Sequence, residues 1–77
     1  MGSKYPVLKP SEIISALEKL GFVYKSQKGS HAKYVKILTD MPSKTAIIPM
    51  HKEVAKGTLQ SILEQAGLSL DEFLGKL

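Results

Sequence analysis

Two histidines, no cysteine and several lysines around a glycine turn are the residues of this chain that could do chemistry. His31 stands in the run Lys28-Gly29-Ser30-His31-Ala32-Lys33-Tyr34. A phosphodiester drawn to Lys28 and Lys33 would meet an imidazole, the side chain best suited to proton exchange near neutral pH. Gly29 permits close backbone approach to a phosphate, and the Ser30 hydroxyl can donate a hydrogen bond to it. RNA carries its own nucleophile, the ribose 2′-OH. Cleaving it requires only a group that takes that proton, contacts that orient the phosphate and charge that stabilises the transition state. No metal enters such a route.

The same residues fit other roles. A histidine beside a turn also suits a solvated surface, and the lysines also suit a module that binds RNA without cutting it. They would equally keep a protein-interaction domain in solution. His51, just after Pro49-Met50, is placed either to cap local backbone or to assist His31. Tyr24 and Tyr34 can stack on bases or fill the core side of a sheet. The two histidines lie twenty residues apart, with no HExxH spacing and no acidic cluster. Neither a metal nor a cofactor is therefore expected. With no cysteine and no announced Ser-His-Asp spacing, a nucleophilic side chain is not expected either.

Charge points toward a polyanion. The chain has 77 residues and a formal charge of +4, all of its eleven basic residues being lysine. Seven of these fall between Phe22 and Lys56, against only Asp40 and Glu53, whereas the stretch from Gly57 onward is acidic. Lys33 and Lys36 are an odd number of residues apart, so they face opposite sides of a regular strand and only part of the set can meet one ligand. The length allows one domain, 1–77, with residues 1–9 as a flexible N-terminal segment. A core of this size supplies only about 3–5 kcal/mol, with no disulfide to supplement it. The longest apolar run, Thr45 to Met50, is far short of a membrane span, and Pro6 interrupts any apolar stretch behind the first lysines. No membrane helix and no signal peptide are expected, and the lack of cysteine fits a cytoplasmic location.

The elements that must position His31 follow from periodicity. Ile13, Ile14, Leu17 and Leu20 recur at helical spacing, which predicts a helix over about Ser11 to Leu20, closed by Gly21 with Phe22 folding back on it. Phe22 to Ser26 and His31 to Leu38 read as strands around a Gln27-Lys28-Gly29-Ser30 turn. After a turn over Thr39 to Ser43, Lys44 to Pro49 reads as a third strand, whose consecutive Ala46, Ile47 and Ile48 predict deep burial. Leu59, Ile62, Leu63 and Ala66 predict a helix over Lys56 to Ala66, ended by Gly67. Ser69 and Glu72 form a capping box for one further turn, Leu70 to Leu74. The sum is an α+β fold of order α-β-β-β-α, with a three-stranded antiparallel sheet and two helices on one face.

Four blocks in this order resemble the HicA (YcfA-like) toxin family of type II toxin–antitoxin modules. They are Gly29-Ser30-His31-x-x-Tyr34; Ile48-Pro49-Met50-His51; Lys56-Gly57-Thr58-Leu59-x-x-Ile62-Leu63-x-x-Ala66-Gly67-Leu68-Ser69; and Glu72-Phe73. Leu17-x-x-Leu20-Gly21-Phe22 fits the family's first helix and strand, so the likeness runs from about Ser11 to Phe73. It implies a double-stranded-RNA-binding-domain-like fold and a metal-independent, ribosome-independent mRNA endonuclease. It also implies a HicB-type antitoxin that covers the active site. The family's catalytic histidine falls on His31, its Gly and Ser neighbours on Gly29 and Ser30, and its second histidine on His51. The expected site is therefore His31 as catalyst, with Lys28, Gly29, Ser30, Lys33, Tyr34 and His51 toward RNA. The free chain is expected to be a monomer or weak dimer. The absence of arginine leaves phosphate recognition to lysine point charges, which are less directional than a guanidinium fork.

Overall fold

The computed structural model describes residues 5–77. Its first helix, α1 (Pro10–Lys19), begins one residue earlier than expected. Proline suits the first helical position, where its missing N–H would have no intrahelical partner. The Glu12 carboxylate accepts the Lys9 backbone N–H at 2.9 Å and closes the start. Ile13, Ala16 and Leu17 are wholly buried.

The helix ends as the glycine predicted. Gly21 lies at φ +97°, and the N–H groups of Gly21 and Phe22 reach back to the carbonyls of Glu18 and Leu17, both at 3.0 Å. This is the paired ending of a Schellman motif. Phe22 therefore belongs to the helix ending rather than to the first strand, and its ring is buried in the core. Replacing Gly21 by alanine would force a side chain into that left-handed backbone and set its Cβ 3.1 Å from Lys36 Cε. A loss of about 1–2 kcal/mol is expected, read as a lower urea midpoint at unchanged slope.

Strands β1 (Val23–Lys28), β2 (His31–Lys36) and β3 (Lys44–Pro49) form an antiparallel sheet in the order β1-β2-β3. β1 runs two residues further than expected because the turn holds only Gly29 and Ser30, which leaves Lys28 opposite His31 and Gln27 opposite Ala32. β2 stops at Lys36 instead of Leu38, since β3 begins opposite Lys36 at Lys44 and offers no partner beyond it. Ile37 is consequently 80% exposed.

Helices α2 (Lys56–Ala66) and α3 (Leu70–Leu74) fall where the spacing predicted. Leu59, Ile62, Leu63 and Ala66 of α2 join Ile13 and Leu17 of α1 and Phe73 of α3 over Ala32, Tyr34, Ala46 and Ile48 of the sheet. One sheet face is thus covered by helices and the other is open. Ile47 lies on the open side and is 39% exposed, against the burial expected for it. Strand alternation sends its neighbours Ala46 and Ile48 into the core and turns Ile47 outward.

Of the nine residues expected to form a flexible N-terminal segment, the first four lie outside the described residues. Leu8 is bridged to Val54, whose N–H donates to the Leu8 carbonyl at 2.7 Å, and Tyr5 and Leu8 pack against the core. Among the described residues no helix is long and apolar enough to cross a membrane.

Candidate nucleic-acid interface

The open face of the sheet is built by strand register. Residues directly opposite one another share a face. Ser26 pairs with Lys33 and Lys28 with His31 across β1 and β2, while Ile47 pairs with Lys33 and Pro49 with His31 across β2 and β3. Ser26, Lys28, His31, Lys33 and Ile47 accordingly line one shallow depression of about 650 Å³. His31 is exposed within it, with Lys28 beside it across the hairpin and Lys33 next along the same strand.

An irregularity in β1 makes this arrangement possible. The register shifts between Tyr24 and Ser26, leaving Lys25 as an extra residue in the strand. Without that bulge Ser26 and Lys28 would share the helix-covered side with Tyr24; the extra residue reverses their phase and turns them toward His31. The turn is the second local device. Gly29 lies at φ +59°, with Ser30 outside the left-handed region, the pattern of a two-residue hairpin turn with glycine first. Nothing stands within 4 Å of where a Gly29 Cβ would sit, so the turn borders open space.

The third device joins β3 to the turn. The Met50 N–H donates to the Ser30 carbonyl at 2.6 Å, which carries the β2–β3 ladder one residue beyond Pro49. By the alternation of antiparallel pairs, Pro49 then stands at a position facing His31 without a ladder bond, so its missing N–H costs nothing there. His51, two residues beyond Pro49, returns to the same side. Its ring centroid lies 6.3 Å from that of His31, the ring planes at 69°.

Lys28, His31 and Lys33 thus share the depression, the His51 ring stands beside that of His31, and Gly29 and Ser30 form the turn that joins Lys28 to His31. Tyr34 is not among them. It points into the helix-covered side at 7% exposure, edge-on to Tyr24 with ring centroids 5.7 Å apart. Burial raises the Tyr34 phenol above its ordinary pKa, with smaller contributions from Glu18 and Tyr24. A ring in that position braces the sheet and does not reach a ligand on the open face.

The central lysines also divide. Lys36 and Lys44, paired across β2 and β3, lie over the C-terminal ends of α1 and α2, with Lys36 Cε and Lys44 Nζ each 3.1 Å from where a Cβ would sit on Gly21 or Gly67. Positive charge there complements the helix dipoles. Lys28 and Lys33 remain on the open face. Sequence reasoning missed Ser26 and Ile47 as lining residues: their inclusion follows from the Lys25 bulge and from the phase of β3, neither of which leaves a mark in residue type. Among the described residues no three of His, Cys, Asp and Glu converge as a metal-ligand set.

A family model described as the HicA toxin of bacterial toxin–antitoxin matches residues 10–68. No curated protein matches the chain. The matched span runs from the start of α1 to just past α2 and takes in the whole His31 corner, so the likeness carried by the Gly29-Ser30-His31 and Pro49-Met50-His51 blocks is borne out. The chain belongs to the HicA toxin family of bacterial toxin–antitoxin systems.

Proposed function

We propose that this toxin is an mRNA endonuclease that cuts RNA without a metal ion and without the ribosome, with His31 as its catalytic base. The observation that carries the reading is the exposed His31 in an open depression between Lys28 and Lys33. His31 takes the proton of a ribose 2′-OH; the 2′-oxygen attacks the adjacent phosphorus. Lys28 and Lys33 neutralise the phosphate, and the backbone of Gly29 and the hydroxyl of Ser30 orient it. The site is shallow and open, which suits a single strand laid across a sheet better than a small molecule held in a closed pocket. Its location is the cytoplasm, where mRNA is found, and a HicB-type antitoxin is the partner that restrains it. A positive corner of this kind favours an antitoxin surface of opposite charge.

Incubation of the purified protein with a long single-stranded RNA in EDTA tests the activity. Fragmentation is expected. Binding without product would assign the chain instead to a non-catalytic RNA-binding module of the same fold. The electrostatic part has its own signature. The slope of log affinity against log salt should fall in magnitude by about 0.7 for Lys28→Ala and again for Lys33→Ala, measured by fluorescence anisotropy on single-stranded RNA. Lys36→Ala, on the other side of the sheet, should leave the slope unchanged.

A further inference from the structure

Displacement at phosphorus by a 2′-OH has two proton transfers, and His31 accounts for one. The attacking oxygen must lose a proton, and the departing 5′-oxygen must gain one. A single imidazole can serve both only in succession, whereas two imidazoles in opposite protonation states serve both at once. The geometry points to His51 as the second: a general acid that protonates the 5′-oxygen while His31 acts as base. This inference rests on the RNA-cleaving reading given above.

Three observations converge on it. The two rings stand 6.3 Å apart, edge to face, near enough to address one phosphodiester. Both side chains are exposed, so neither is occupied with holding the core together. The Met50 N–H to Ser30 carbonyl bond fixes the approach of the His51 segment to the start of β2. That bond gives the position of His51 a structural cause independent of its side chain. The charged groups that share the depression with His31 are Lys28 on β1 and Lys33 on β2, and Lys52 and Glu53 follow His51 in the chain. β3 presents only the uncharged Thr45, Ile47 and Pro49 to this side.

The step balances as a transesterification. The 2′-O–H proton passes to neutral His31, and the bond from the 2′-oxygen to phosphorus forms. The bond from phosphorus to the 5′-oxygen breaks, and that oxygen takes its proton from His51. The products are a 2′,3′-cyclic phosphate and a 5′-hydroxyl, and exchange with solvent restores both imidazoles.

A change of leaving group separates an acid from a residue that merely holds the phosphate. Cleavage is measured on two RNAs of the same sequence, one natural and one with the 5′-oxygen at the cleaved bond replaced by sulfur, which departs as a thiolate without needing a proton. His51→Ala should lose about 10²-fold or more on the natural RNA and only a few-fold on the sulfur-substituted one. His31→Ala should remain defective on both. Circular dichroism confirms that each variant is folded. Equal losses by His51→Ala on both RNAs, or no loss on either, would overturn the assignment of His51. A parent protein that cuts neither RNA would overturn the nuclease reading itself, and the His51 assignment with it.

Discussion

His31→Ala is expected to lower the rate of RNA cleavage by about 10²–10⁴-fold, the range that a positioned acid–base group contributes. The loss should be almost purely chemical. His31 is exposed on the open face, its strand is held by pairing with Lys28 and Pro49, and its side chain supports no part of the core. Stability should change by no more than about 0.5 kcal/mol, as for surface substitutions generally. Lys28 and Lys33 remain in place, so RNA affinity should change little while product formation collapses. Single-turnover cleavage and anisotropy on the same RNA separate the two quantities. A folded His31→Ala protein that cleaves as fast as the parent would remove His31 from the mechanism.

Phe73→Ala is expected to cost about 3–5 kcal/mol, enough to leave much of the protein unfolded near body temperature. A core in a 77-residue chain supplies only about 3–5 kcal/mol of stability, so the loss takes most of it. Phe73 is fully buried and is the one buried residue of α3, which lies beyond the span shared with the family model. The short helix is therefore a plug for the core. Its start is well defined: the Glu72 N–H donates to Ser69 Oγ at 3.1 Å, and the Ser69 N–H donates to the Glu72 carboxylate at 2.9 Å. Hydrogen bonding to the Glu72 carboxyl, from the Ser69 backbone N–H first and the Ser69 hydroxyl second, holds it below its ordinary pKa, with Lys36 adding to the effect. Leu74→Ala, at a residue 37% exposed, should cost about 1 kcal/mol or less. Urea denaturation of the two variants side by side checks the contrast; similar midpoints would show that α3 contributes little to the core.

What the sequence revealed depended on whether the controlling interaction was local. Gly21 followed by Phe22, and Ser69 three residues before Glu72, each specify a helix end through hydrogen bonds within one turn, and both ends are found where expected. The strands were located, but their phases were harder to read. Three consecutive apolar residues, Ala46-Ile47-Ile48, carry no alternation from which to tell inside from outside. Ile47 faces out because β3 pairs with β2 in the register that sets Ile48 opposite Ala32. The Lys25 bulge has no glycine to announce it, and yet it decides that Ser26 and Lys28 face His31. Tyr34 carries the same ambiguity: an aromatic ring on a strand suits either face, and only the position of the helices shows that it is inside. The closeness of His51 to His31 is wholly non-local, since it depends on the pairing of Ser30 with Met50 across the sheet.

The central claim, that this face cuts RNA by activating the strand's own 2′-OH, is tested most directly by the chemistry of the cut ends. A short single-stranded RNA is incubated with the parent protein in EDTA, and the fragments are weighed by mass spectrometry. Fragments ending in a 2′,3′-cyclic phosphate, paired with fragments beginning in a 5′-hydroxyl, are the predicted result. Intact RNA, or ends bearing a 3′-hydroxyl and a 5′-phosphate as attack by water would leave, would contradict it.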